Sequence, residues 1–232
     1  MSESEQSVAA ESLSVDQLRR LALLQDALLF CCAFTGGALV YGIVRGLASV
    51  LGERTDDFWT IGLSDDLVFA GLVAAEVFLL WNNGLRQGLR GHSIGKHREG
   101  LAVVGVGSGR PVGTARGLLR GLVVVVLLDL SIAAIPIGLP TVLRRATPDS
   151  WHIGLAAYAA LVVLVIPLLL AMDRRLADIV AGTTVVETGA RTSRRRGQVV
   201  SGLEVLGVVG VLGLAVAYIV FFSPLIRFPD LF

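Results

Sequence analysis

The sequence contains little charge, one lysine and two cysteines. Charged residues make up 17% of the 232 residues and hydrophobic residues 54%, whereas soluble domains are about a quarter charged. The mean hydropathy of +0.73 therefore predicts an integral membrane protein before any single segment is inspected. The formal net charge of +1 gives no general basis for binding nucleic acid.

The few cysteines and histidines exclude most metal and redox sites. Cys31 and Cys32 are adjacent inside an apolar run. Two cysteines cannot make a disulfide framework, and we interpret this pair as small apolar residues. The three histidines, His92, His97 and His152, have no spacing to cysteines or carboxylates that is typical of zinc. We predict neither a metal nor a cofactor.

Enzymatic motifs are also missing. The segment from Gly91 to His97 resembles a phosphate-binding loop, but that motif requires Gly six positions before Lys96, where Arg90 stands. It also requires Ser or Thr directly after the lysine, where His97 stands. No arrangement of a nucleophile and a base is evident, so the sequence does not predict an enzyme.

Five apolar segments dominate the remainder of the chain. Each is most simply a helix, because backbone in lipid must satisfy its own hydrogen bonds, and the longest run of about 24 residues can cross a hydrocarbon core of about 30 Å. We predict transmembrane helices at about 21–44, 61–81, 118–139, 153–172 and 202–223. The other segments are predicted as a disordered tail (1–18), a basic loop (187–201) and a final tail (224–232).

The distribution of basic residues predicts the orientation of these helices. With the N-terminus in the cytoplasm, fifteen of the twenty Lys and Arg residues lie inside and five lie outside. This bias follows the positive-inside rule and predicts a multi-pass protein of the cell membrane, N-in and C-out. In the loop between helices 2 and 3, the apolar run 101–104 and the glycine-rich run 105–109 predict a small cytoplasmic β-hairpin.

Three acids lie inside the predicted helices. They are Asp26, Glu76 and Asp129, one in each of the first three helices. The helical rise places each of them about 8–13 Å from the cytoplasmic end of its helix. Ionisable residues at membrane depth are costly and favour a functional hypothesis, so we expect all three in the cytoplasmic half.

A dense group of charges follows the fourth helix. Arg174 and Arg175 precede Asp178 by four and three residues, a spacing that allows ion pairs on one helical face. Arg19 precedes Asp26 by seven residues and shares its face. We predict one network that either handles ions or holds helices together. Its members are Asp26, Glu76, Asp129, Asp178, Arg19, Arg120, Arg174 and Arg175.

Four blocks, in order, resemble the RDD family of membrane proteins. They are Arg19–Asp26, the Gly-x-Ser-x-Gly-Lys block with Gly-Leu-x-Val-Val after it, Gly109–Arg120, and Arg175–Val186. Gln25 replaces a residue that is usually apolar, and Ala177 stands where His is frequent. The motif positions are Gly91, Ser93, Gly95, Lys96, Gly100, Ala181, Gly182 and Thr183.

The resemblance implies a multi-pass membrane domain over about 19–186. Some members of the family are cation/proton antiporters, and others accompany different membrane machinery. Two hypotheses follow. In the first, the protein moves a monovalent cation or a proton, or supports such transport, in the lipid bilayer. In the second, it is a non-catalytic assembly or scaffold subunit that binds other membrane proteins or further copies of itself.

Overall fold

The computed structural model of the chain is mostly helical. It describes residues 13–52, 61–62, 64–133, 135, 139–146, 154–169, 174–188 and 198–222. Within these residues, three stretches of helix are long and apolar enough to cross a membrane: Val15–Val50, Asp65–Arg90 and Val200–Ala217. The predicted helical class is confirmed, and the length and composition of these three helices are compatible with a membrane protein. Most of the predicted tails and basic loop, at 1–12, 189–197 and 223–232, lies outside the described residues.

The first helix, α1 (Val15–Val50), is longer at both ends than predicted. Its start is set by a capping box in which the Gln17 amide donates to the Ser14 hydroxyl and the Ser14 amide donates to the Gln17 side chain. Because this cap precedes the apolar run, residues 15–18 are helical instead of belonging to a disordered tail. At 1.5 Å per residue, α1 is about 54 Å long and exceeds the hydrocarbon core.

The second span consists of three helical segments without a break between them. It comprises α2 (Asp65–Leu79), a π-helical segment (Leu80–Leu85) and α3 (Arg86–Arg90). The Ser64 side chain caps its start by accepting a hydrogen bond from the Leu67 amide. A π-helical segment has a wider turn than an α-helix and is often found at functional positions. Here it lies between the predicted acid Glu76 and the motif block.

The remaining elements follow the predicted order, but their bounds differ from the predicted ones and short helices occur between them. In chain order they are α4 (Ile94–Arg98), β1 (Leu101–Gly105), α5 (Gly113–Ala133), α6 (Val142–Ala146), α7 (Gly154–Leu169), α8 (Leu176–Ala181), β2 (Thr183–Glu187) and α9 (Gln198–Phe222).

The predicted β-hairpin between helices 2 and 3 is wrong. Strand β1 pairs in antiparallel register with β2, which comes some eighty residues later, so that Val103 lies opposite Val185. The chain does turn after β1, but Pro111 has no N–H to donate to a ladder, and α5 begins at Gly113. The β-branched run Thr183–Val186 is a better strand partner. The sheet therefore joins two distant motif blocks.

Glycines allow the second span and α5 to cross at very short distance. A Cβ on Gly88 would lie 2.4 Å from the Gly113 carbonyl oxygen, and a Cβ on Gly117 would lie 2.5 Å from the Gly88 Cα. Gly84 and Gly121 meet in the same way one turn further along. Such small-xxx-small spacings are typical of close helix pairs in membranes. This crossing brings the π-helical segment and Arg120 to the same height along the axis of the helix bundle.

Helix α9 packs against α1 through small residues. The Thr35 hydroxyl donates to the Gly207 carbonyl oxygen at 2.8 Å. A Cβ on Gly207 would lie 2.8 Å from the Cys32 sulfur, and one on Gly210 would lie 2.5 Å from Thr35. These glycines therefore serve packing within the chain, whereas a Cβ on Gly213 would meet nothing within 4 Å.

Candidate functional site

Asp26 is the buried acceptor at the centre of the motif block. Its Oδ1 accepts hydrogen bonds from Asn82 Nδ2 and from the Gly95 amide, both at 2.9 Å. Its Oδ2 accepts the Ser93 hydroxyl at 2.6 Å. The Asn82 side chain is held in turn by the Ile94 amide, which donates to its Oδ1 at 3.0 Å. Neutral donors therefore hold Asp26.

The motif residues explain why this loop docks on α1. Ser93 caps α4 by accepting the Lys96 amide while its hydroxyl donates to Asp26. A Cβ on Gly95 would lie 2.1 Å from the Ala22 carbonyl oxygen, so only glycine allows the backbones to approach this closely. The serine and the second glycine of the motif thus attach α4 to the first helix.

Asp178 forms a buried ion pair in the same region. Its Oδ1 accepts Arg120 Nε at 2.9 Å and the Thr183 hydroxyl at 3.1 Å. Arg120 Nη1 also donates to the Gln87 side chain. Burial alone would raise the pKa of Asp178, but the charges of Arg120 and Lys96 and the hydrogen bond from Arg120 hold that pKa below its usual value.

Lys96 is close enough to both carboxylates to interact with their charges. Burial lowers the pKa of its ammonium group to about 7, and the charge of Arg120 acts in the same direction, while Asp26 and Asp178 oppose it. Lys96 therefore connects the Asp26 and Asp178 sites electrostatically. We call these residues together the motif centre: Asp26, Asn82, Gln87, Ser93, Gly95, Lys96, Arg120, Asp178 and Thr183.

The prediction that the two arginines before Asp178 share a helical face with it is wrong. Helix α8 begins at Leu176, so Arg174 and Arg175 precede it. Asp178 accepts the backbone amide of Arg175 at 3.2 Å and forms its ion pair with Arg120 on another helix. Burial lowers the pKa of the Arg175 guanidinium, Asp178 opposes this shift, and the charge of Arg19 adds to it. Arg19 is thus close to Arg175.

The other motif positions shape the backbone around this centre. Gly91, Gly100 and Gly182 all have positive φ angles, between 62° and 78°, a region that favours glycine. Gly182 ends α8 and leads directly into β2. Ala181 is buried and Thr183 is fully buried. These residues return the chain so that β2 can pair with β1.

Glu76 and Asp129 form a separate pair of acids, which we call the acid pair. Both side chains are buried, with 8% and 2% exposure, and the Glu76 carboxyl lies within hydrogen-bonding reach of Asp129. Two ionised carboxylates can only accept hydrogen bonds, so this contact requires one proton. The Glu76 Oε1 has no hydrogen-bond partner in the described part of the chain.

Helix α6 closes over Asp129. The Val142 amide donates to Asp129 Oδ1 at 3.1 Å, and the Leu143 amide donates to Oδ2 at 2.9 Å. Arg144 donates to the Ala133 carbonyl oxygen at 2.9 Å, which fastens α6 to the end of α5. Arg145 forms an ion pair with Asp66 at 2.7 Å. The segment from 139 to 146 thus joins α5 to the start of α2.

The structure divides the predicted single network into these two sites. Glu76 precedes Asn82 by six residues and Asp129 follows Arg120 by nine, which are axial distances of about 9 and 13 Å. Asp129 is only four residues from the end of α5 at Ala133. It therefore lies toward the end of α5 opposite Arg120, and Glu76 lies beside it. That all three acids lie in the cytoplasmic half of the membrane stays a prediction.

Several polar residues of the site were not predicted. Asn82 and Gln87 are buried in the second span, where the Asn82–Asn83 pair within an apolar run was an available signal. Glu204 on α9 is buried and pairs with Arg98 of α4 at 3.5 Å. Gln25 donates to Glu99. These contacts connect α4 to α1 and to α9.

No group of three or more His, Cys, Asp or Glu residues that could hold a metal ion occurs among the described residues. The rings of His92 and His97 stack with their centroids 4.3 Å apart. A cavity of about 350 Å³ lies between α1 and α9, with apolar lining that includes Ala38, Leu39 and Leu214. None of the predicted acids lines this cavity.

The fold and these sites define a helical protein with membrane-compatible helices and two buried polar centres. A comparison of the chain with family models, curated proteins and solved structures finds no match. The geometry of the two centres is therefore the basis for any functional assignment.

Proposed function

We propose that this chain is a five-span RDD-type protein of the cell membrane, with its N-terminus in the cytoplasm. Helices α5 and α7 would be the third and fourth spans, in addition to the three long apolar stretches. Helix α5 has 21 residues, or about 31 Å, and α7 has 16 residues, or about 24 Å. The excess of basic residues at the end that carries the motif centre supports this orientation.

Our proposed activity is the movement of protons or monovalent cations, or the support of such movement, at the acid pair. The observation that carries the proposal is the buried Glu76 carboxyl beside Asp129, with Oε1 lacking a hydrogen-bond partner among the described residues. A buried polar group without a partner costs free energy. Binding of a proton or cation would offset this cost, and acids at membrane depth are typical of ion pathways.

The motif centre has a structural role in this proposal. Three donors bind the Asp26 carboxylate, and Arg120 and Thr183 bind Asp178. A carboxylate satisfied in this way has little capacity left for a transported ion. Arg19, Arg174 and Arg175 would contribute positive charge at the membrane surface. This centre would hold α1, the second span, α4 and α5 in the arrangement that forms the acid pair.

Proteoliposome flux tests the transport hypothesis. We expect Glu76→Gln and Asp129→Asn to abolish cation-dependent proton flux, because each substitution removes one of the two carboxyl groups that form the site. Glu187→Gln is the matched control, since it removes an exposed acid at the end of β2, away from the acid pair, and should retain flux. Wild-type flux in Glu76→Gln, or no flux in the wild-type protein, would contradict the hypothesis.

An assembly or scaffold role is the alternative, and one surface favours it. Helix α8 exposes Leu176, Ile179 and Val180 by 38–55% next to Arg174 and Arg175. A mild-detergent pulldown that recovers a stoichiometric partner, or a second copy, from wild-type protein would support this role. That interaction should be lost in an Ile179→Glu variant that retains its fold. Neither hypothesis assigns an enzymatic reaction to the protein.

A further inference from the structure

The two members of the acid pair have different surroundings. Both oxygens of Asp129 accept backbone amides, from Val142 and Leu143. Glu76 has one oxygen without a hydrogen-bond partner among the described residues. Amide donors favour an ionised carboxylate, whereas burial without donors favours the neutral acid. The shared proton of the pair therefore has an asymmetric environment.

We propose that Glu76 carries the proton and that Asp129 is a positioning residue that stays ionised and anchors α6. This inference rests on the proposed function and deepens it by assigning a different role to each acid of the same site. In this assignment, the protonated Glu76 donates a hydrogen bond to Asp129, and Asp129 also accepts hydrogen bonds from the Val142 and Leu143 amides.

The contacts of α6 indicate how this end of the helix bundle would respond if Glu76 lost its proton. Loss of the proton from Glu76 would place two negative charges side by side in a buried site, which is strongly unfavourable. The groups around the pair that could respond are Arg144, which holds the end of α5, and Arg145, which pairs with Asp66. Helix α6 is the element that Asp129 holds, so its attachment would depend on the proton of Glu76.

Infrared spectroscopy of the protein in nanodiscs locates the proton without reference to transport. At neutral pH, Glu76→Gln should remove one protonated-carboxyl band, because the introduced glutamine side chain donates its amide to an Asp129 that remains ionised. The exposed-acid control Glu187→Gln on β2 should leave the band unchanged. If Glu76→Gln retains the full band, the proton is not on Glu76 and the inference is overturned.

Hydrogen exchange tests the positioning role of Asp129. In Glu76→Gln, the amides of residues 142–143 should keep their protection, since Asp129 still accepts them. In Asp129→Asn, an NH2 group would face one of these amides, and we expect the protection of 142–143 to fall by about tenfold or more while strand β1 stays protected. Equal protection of 142–143 in Asp129→Asn and wild type would overturn the role. The Glu76→Gln spectrum still decides the proton's location if Asp129→Asn does not fold.

The outcomes separate this inference from the proposed function. Loss of the band without any flux in the wild type would reject transport and retain the assignment of the proton to Glu76. Flux that disappears in Glu76→Gln while the band remains would retain transport and reject the assignment.

Discussion

The motif centre and the acid pair are both buried and both contain two carboxylates, but they differ in how those carboxylates are satisfied. At the motif centre, Asp26 and Asp178 accept hydrogen bonds from hydroxyl, amide and guanidinium groups. The positive charges of Arg120 and Lys96 are nearby. At the acid pair, the two carboxyls face each other, and Glu76 keeps an oxygen without a described hydrogen-bond partner. Burial alone therefore does not identify a functional acid, whereas incomplete satisfaction makes one a candidate.

The largest expected effect is the loss of the buried ion pair at the motif centre. Arg120→Met leaves Asp178 and Gln87 buried without their donor, which should cost about 3–5 kcal/mol of unfolding free energy. The free energy of unfolding in mixed micelles, measured by SDS titration, checks this value. Arg145→Met is the matched control, because it breaks an exposed ion pair with Asp66 and should cost about 0–1 kcal/mol. Equal losses in both variants would contradict the distinction.

A steric change at the motif block should have the next largest effect. Gly95→Ala places a Cβ 2.1 Å from the Ala22 carbonyl oxygen and should cost about 1–3 kcal/mol through overpacking. The control is Gly36→Ala on the first helix, where a Cβ would meet nothing within 4 Å. That change should be neutral or stabilise the helix by up to about 1 kcal/mol. If Gly95→Ala is as stable as Gly36→Ala, α4 is not docked as closely as described.

Neutralising one acid at each centre compares them directly. Asp26→Asn introduces an NH2 group among three donors, so we expect a loss of about 1–3 kcal/mol. Glu76→Gln instead supplies a donor toward Asp129, so we expect a change of less than about 1 kcal/mol in either direction. Thermal unfolding followed by circular dichroism measures both variants. A larger loss in Glu76→Gln than in Asp26→Asn would invert the comparison.

The last prediction concerns the pH dependence contributed by Lys96, a charged group of the motif centre that has no counterpart at the acid pair. Its folded-state pKa of about 7 lies below the ordinary value of 10.5, so the unfolded chain binds more protons between these two values. The Lys96 contribution should therefore make stability increase as pH rises from about 7 toward 10.5. Unfolding free energies measured across this range should rise less steeply in Lys96→Met than in wild type. A Lys96→Met profile parallel to wild type would exclude this contribution.

Local pattern predicted the helices better than it predicted their ends. The apolar runs identified the long helices because burial of backbone in an apolar environment leaves few alternatives. The Ser14 cap and the end of α5 at Ala133 depend on local hydrogen bonds and on a chain turn, and they moved the boundaries by several residues.

By itself, the sequence determined the helical class, the candidate acids and the motif residues, because composition, periodicity and residue type are local properties. The tertiary structure decided which of them meet. Strand β1 pairs with β2, which lies some eighty residues later. The ion-pair partner of Asp178 is Arg120 on another helix, and not the adjacent Arg174 or Arg175. Glu76 and Asp129 form a pair that is separate from Asp26. Contacts between distant segments depend on how helices cross, here at Gly84, Gly88, Gly117 and Gly121, and linear spacing does not contain that information.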